Sequence, residues 1–124
     1  MPKILLVDDD LDIIFMVKAV LEKNGYEVRA AHNGYEALKV IKTYAPDLMI
    51  VDLTMPEMDG WRLSMKVREN EKFKNIPIIV LIGLLSYEES KADPNEPYNI
   101  LLAKPFDILK LAIKVKDLLA AKAK

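Results

Sequence analysis

Apolar residues fall along this chain in two alternating rhythms. Short runs rich in β-branched residues occupy KILLVD (3–8), YEVRAA (26–31), DLMIVD (47–52), IPIIVLI (76–82) and NILLAK (99–104). The first, third, fourth and fifth are almost continuously apolar, as strands covered on both faces must be, whereas the second is more polar and predicts an edge strand. Between them, apolar residues recur at helical spacing. LDIIFMVKAVLEKNG (11–25) carries Ile14, Val17 and Leu21 in one stripe and closes on Asn24-Gly25, a C-cap pair. GYEALKVIKTYA (34–45) follows Asn33, an N-cap residue, and GWRLSMKVRENEKF (60–73) is the third helical stretch. SYEESKAD (86–93) predicts a fourth helix, opened by Ser86 with Glu89 in capping-box register and stopped by Pro94 and Pro97. FDILKLAIKVKDLLAAKAK (106–124) is amphipathic and ends in lysines that suit the negative helix terminus. Five strands alternating with five helices predict an α/β fold around a parallel sheet.

In such sheets ligands bind beyond the carboxyl ends of the strands. Three of those ends carry charge: Asp8, Asp9 and Asp10 after the first strand, Asp52 at the third and Lys104 at the fifth. If the first and third strands are neighbours, two or three carboxylates meet at one place. They repel one another unless a cation binds, and an all-oxygen site of this kind suits a hard ion such as Mg²⁺. Lys104 adds a mobile positive charge. Carboxylates, a hard cation and a lysine together can position a phosphoryl group, and one carboxylate can be its nucleophile. Taken singly, Asp9 or Asp10 would simply cap the first helix, Asp52 would cap a turn and Lys104 would be solvated. Their joint occurrence at three strand ends favours a site.

Composition narrows the partners. The 124 residues carry 18 basic and 19 acidic side chains, a net charge of −1, with 52% hydrophobic residues and no cysteine. One domain with an adequate core is expected. No overall field exists to hold nucleic acid or an anionic membrane. Disulfides, thiolate zinc sites and cysteine nucleophiles are excluded. MPKILLVDDD has too short an apolar run for a signal peptide, and no window approaches a membrane span, so a cytoplasmic protein is expected. His32, the single histidine, lies in AAHNG without a second histidine or cysteine nearby and reads as a surface residue. Trp61 reads as a packing residue. The lysines of the last helical stretch read as a solvated face.

The motifs VDDD at the first strand, VDLTMPEMDGW around the third and AKPF after the fifth resemble, in combination, the receiver domains of two-component response regulators. Asp52, Pro56 and Gly60 carry the most specific spacing, and the resemblance spans the whole chain, 1–124, as one receiver domain. It implies a flavodoxin-like three-layer sandwich with five parallel strands in the order 2-1-3-4-5 and five helices. It implies Asp52 as the phosphate-accepting residue, Asp8 and Asp9 as the acidic pair for Mg²⁺, the Thr54 backbone carbonyl as a further ligand and Lys104 as the partner of Asp52 and of the phosphoryl group. The donor would be a phosphohistidine on a sensor kinase or phosphotransfer protein, with the chain an acceptor rather than a conventional enzyme. No DNA-reading module follows, so the chain is a stand-alone regulator or the receiver piece of a longer protein.

Two positions depart from the family. Its fourth strand ends in Thr or Ser, whose hydroxyl senses the phosphoryl group; here the position is Ile82, followed by Gly83. The second switch position, usually aromatic, is Leu101, and Tyr98 lies at an odd offset from it, predicting the other face of the strand. The resemblance further implies that Thr54 and Leu84 tune dephosphorylation by flanking where an attacking water would sit, and an apolar Leu84 is expected to slow water entry. Three functions follow: a phospho-acceptor with altered switching, a pseudo-receiver acting through phosphorylation-independent contacts, and a Mg²⁺-dependent aspartyl-phosphate hydrolase. The last lacks an acid/base carboxylate two residues after the nucleophile, where Thr54 stands.

Overall fold

The computed structural model describes residues 1–83, 90–91, 96–104 and 106–122. In chain order the elements are β1 (Lys3–Val7), α1 (Leu11–Lys23), β2 (Glu27–Ala31), α2 (Gly34–Val40), β3 (Leu48–Asp52), α3 (Gly60–Glu69), a 3-10 turn (Glu71–Phe73), β4 (Ile78–Ile82), β5 (Ser90–Lys91), β6 (Ile100–Ala103) and α4 (Ile108–Lys122). The sheet order is β2-β1-β3-β4-β6-β5. Five strands run parallel and reproduce the expected 2-1-3-4-5 order, with β6 as its fifth member and β2 at the edge.

Strand alternation sorts the core into two layers. Leu5, Val7, Met49, Val51, Ile78 and Val80 face one side, under Ala37 of α2 and Leu63 and Val67 of α3. Ile4, Leu6, Leu48, Ile50, Ile79 and Leu81 face the other, under Ile14, Val17 and Leu21 of α1 and Leu111 and Val115 of α4. Every residue of β3 and β4 is buried, which explains their unbroken apolar sequence. Each such side chain contributes about 1.5–3 kcal/mol on burial. The caps are those the sequence suggests. Asp10 accepts hydrogen bonds from the Asp12 and Ile13 amides, Asn33 accepts from Glu36, and Gly25 takes the positive φ of 92° after Asn24. Among the described residues no helix is long and apolar enough to cross a membrane.

The fourth predicted helix is the main correction. The described residues form four α-helices, not five, and Ser90–Lys91 pairs antiparallel with β6. The remainder of 86–93 lies outside the described residues. An eight-residue stretch is a marginal helix on its own, whereas pairing satisfies backbone groups that an open strand edge leaves to solvent. Helical stretches two and three also end early, at Val40 and Glu69. In α3 the missing length becomes Asn70, whose side chain caps the following 3-10 turn.

One side chain not singled out in the sequence ties this end of the molecule together. Arg68, on the last turn of α3, donates to the carbonyls of Pro97 at 2.9 Å, Phe73 at 3.3 Å and Ile76, and to Asn99 Oδ1 at 3.1 Å. Asn99 Oδ1 also accepts from the Ile78 amide at 2.7 Å. Burial lowers the Arg68 pKa, as expected for a guanidinium satisfied by neutral acceptors rather than a carboxylate. Replacing Arg68 with Ala orphans several part-buried carbonyls and is expected to cost about 2–4 kcal/mol. Arg68→Lys recovers less than half, because an ammonium cannot span that fork. Urea unfolding of the two variants and the parent checks both values.

Candidate functional site

β1, β3 and β6 deliver their charged ends to one corner of the sheet. Because β1 pairs with β3, Val7 lies beside Val51, and Asp8 and Asp52 emerge next to each other. The Asp8 amide donates to the Ala31 carbonyl at 3.1 Å, and its carboxylate accepts from the Asp10 amide at 2.9 Å. Asp8 is fully buried and Asp52 is 4% exposed. Asp9 is exposed at the rim, yet one carboxylate oxygen from each of Asp8, Asp9 and Asp52 lies within 4.8 Å of the others.

Lys104 leaves the end of β6, where its amide donates to the Ile82 carbonyl at 2.6 Å. Its Nζ lies 3.1 Å from Asp8 Oδ2 and 3.2 Å from Asp52 Oδ1. One ammonium therefore serves two buried carboxylates. Burial and the negative charge of Asp8 push the Asp52 carboxyl up to about 6, against opposing contributions from Lys104 and the Thr54 amide. For Lys104, burial favours the neutral form, but the hydrogen bond to Asp8 and the charges of Asp52 and Asp8 outweigh it and raise its pKa. The three carboxylates and one ammonium leave a net negative pocket of hard oxygen atoms, the donor chemistry that Mg²⁺ prefers.

The loop after Asp52 is held tightly. The Gly60 amide donates to the Leu53 carbonyl at 2.8 Å, and a Cβ at Gly60 would lie 2.5 Å from the Asp52 carbonyl oxygen. Glycine is therefore required by close approach. Met58 is pressed against Gly34, and its amide donates to the Pro56 carbonyl at 2.8 Å. Glu57, between them, takes a φ of 70°, a γ-turn geometry rare for a side-chain-bearing residue. Thr54 is exposed in this loop.

Ile82 and Leu101 are 3% and 7% exposed and belong to the same apolar layer. Tyr98 also packs against that layer, so the expectation of the opposite face fails: it precedes β6 and does not follow strand alternation. Leu84 lies outside the described residues. His32 is exposed and its Nδ1 lies 3.3 Å from Glu36 Oε1. Trp61 is not a core packing residue. It is 43% exposed and donates its indole N–H to Glu96 Oε2 at 2.9 Å. Neither Glu96 nor Asn99 carried a signal in the sequence, because their partners are 35 and 31 residues away.

The response regulator receiver domain family matches residues 4–116. The chain belongs to this family. A receiver domain of a signal transduction histidine kinase from Syntrophus aciditrophicus superposes with a TM-score of 0.84 at 32% identity, over 98% of this chain and 92% of that one. The response regulator TrrA of Thermotoga maritima, solved in complex with Mg²⁺ and BeF, gives a TM-score of 0.81 at 34% identity, over 95% of this chain and 99% of that one. The DNA-binding dual master transcriptional regulator RpaA of Synechocystis is 32% identical over 96% of this chain. The chain spans about half the length of RpaA, 49%.

Opposite stability effects are expected from the two sides of the charge cluster in metal-free protein. Asp52 has a pKa of about 6 in the folded chain against an ordinary carboxylate value of 3.8, so its ionised form costs stability above about 6, and the cost fades as pH falls toward 3.8. Asp52→Asn is therefore expected to stabilise by about 2–3 kcal/mol near neutral pH and to gain little at about pH 4. Lys104→Met strands two buried carboxylates and is expected to cost roughly 1–3 kcal/mol near neutral pH, with less loss in acid as they protonate. Urea melts with a chelator at both pH values check the signs.

Proposed function

We infer that this receiver domain accepts a phosphoryl group on Asp52 from a phosphohistidine of a sensor kinase or phosphotransfer protein. The observation that carries the reading is Lys104 held between Asp8 and Asp52, with Asp9 at the rim of the same pocket. Asp8 and Asp9, with Asp52 and the Thr54 carbonyl, are the residues proposed to hold Mg²⁺. The ion, when bound, would neutralise charge on the transferring group's oxygens. The mutual reach of the three carboxylates fits such an ion.

In the proposed step an Asp52 carboxylate oxygen forms the new P–O bond as the P–N bond breaks. The imidazole nitrogen keeps the electron pair, and because its other nitrogen carries a proton the leaving group departs as neutral imidazole. Near neutral pH Asp52 is ionised, as a nucleophile must be, since its pKa is about 6. Lys104 is already charged and placed, so it can turn from the Asp52 carboxylate to a phosphoryl oxygen with little rearrangement. The domain acts as an acceptor rather than a turnover catalyst, in the cytoplasm, and its net charge of −1 gives it no field for nucleic acid. Hydrolase chemistry is not proposed, because Thr54 offers no carboxylate.

Buried Ile82 and Leu101 favour altered switching. At Ile82 a hydrogen bond to a charged oxygen is forgone, worth about 1.5–3 kcal/mol, enough to move a switch whose states differ by a few kcal/mol. The same residues favour, as a second reading, a pseudo-receiver whose contacts do not depend on phosphorylation.

Incubation with a small phosphodonor such as acetyl phosphate, followed by intact mass spectrometry, separates the readings. A Mg²⁺-dependent adduct is expected on the parent and not on Asp52→Asn, with Lys104→Met slower by about 10²-fold. No adduct on the parent, or an equal adduct on Asp52→Asn, contradicts the acceptor reading.

A further inference from the structure

The chain from Asp52 back to Lys104 closes a mechanical circuit through α3. Gly60, the first residue of α3, is bonded to Leu53 and pressed against the Asp52 carbonyl, so displacement of Asp52 reaches the helix directly. The helix then grips the segment leading into β6 at two places. Trp61 binds Glu96 at 2.9 Å, and Arg68 binds Pro97 at 2.9 Å and Asn99 at 3.1 Å. The two grips are seven residues apart, so they share one face of α3 about 10 Å apart along its axis. Asn99 is locked to Ile78 by reciprocal bonds of 2.7 and 2.8 Å, and β6 runs from there to Lys104. Lys104 closes the circuit on Asp52 at 3.2 Å.

The two grips differ in strength. Arg68 is half-buried, with four acceptors. The Trp61–Glu96 bond is single and exposed to solvent. A load on the circuit therefore holds at Arg68 and opens at Trp61. The hydroxyl-and-aromatic route is closed in this chain, since Ile82 and Leu101 are buried and apolar.

We propose that α3 is a lever pivoting on Arg68, and that opening of the Trp61–Glu96 bond reports occupancy of the Asp52 pocket at the surface. The proposal rests on the acceptor reading of that pocket: an added group at Asp52 shifts the Asp52–Leu53 backbone against which Gly60 is packed, and with it the first turn of α3 that carries Trp61. No hydroxyl at position 82 is needed.

Trp61 is the single tryptophan, so its emission reads the joint directly. The protein is loaded with Mg²⁺ and beryllofluoride, and pocket occupancy is followed separately by fluorine NMR of the bound species. Emission is expected to change with the same midpoint as occupancy. In Glu96→Ala, which removes the acceptor, it is expected to start closer to the loaded parent value, with its change at least halved and occupancy intact. Bound fluoride with unchanged Trp61 emission overturns the lever and leaves the acceptor reading standing. So does a full change retained in Glu96→Ala. Absence of bound fluoride removes the acceptor reading and the lever with it.

Discussion

A single ammonium between two buried carboxylates organises this molecule. Lys104 reaches Asp8 and Asp52 at once, at 3.1 and 3.2 Å, in a place where neither acid can turn to bulk water. The balance is incomplete, because Asp9 stands at the rim and Asp8 raises the proton affinity of Asp52. The pocket is thus stable enough to fold and too negative to be satisfied. That residual charge is what would draw a divalent cation.

The fold exists to bring those groups together. Asp8 and Asp52 are adjacent because β1 and β3 are parallel neighbours in register, and Lys104 arrives because β6 pairs with β4 beside β3. The two apolar layers make the sheet rigid, so the carboxylates cannot separate to relieve their repulsion. Gly60 lets α3 begin against the Asp52 backbone, and Glu57 accepts an unfavourable φ in the same turn. Strain and close approach sit where the chemistry is proposed, a common location for both.

Local patterns in the sequence made much of this legible. The unbroken apolar runs of β3 and β4, the polar edge strand β2 and the caps at Asp10, Asn33 and Asn24-Gly25 are each fixed by neighbours within a few residues. The charged strand ends were visible because a parallel sheet places ligands there. What stayed hidden depends on distant partners. Ser90–Lys91 forms a strand because β6 offers an edge, although the capping-box spacing at Ser86 and Glu89 suggested a helix. Arg68 carried no local signal, because Pro97 and Asn99 are 29 and 31 residues away, and Trp61 read as a packing residue although its indole reaches Glu96. Tyr98 escaped strand alternation because it stands before the strand begins.

Neither Ile82 nor Leu101 contributes charge to the pocket, so their apolar character leaves Lys104 and the acids intact. The central claim is the unsatisfied negative pocket, and it is tested most directly by titrating the metal-free protein with Mg²⁺ alone and following backbone amide NMR shifts. The account predicts saturable shifts confined to Asp8–Asp10, Asp52–Thr54 and Ala103–Lys104. Absent shifts, or shifts scattered over the acidic surface without saturation, would show that Lys104 already satisfies the pocket and would contradict it.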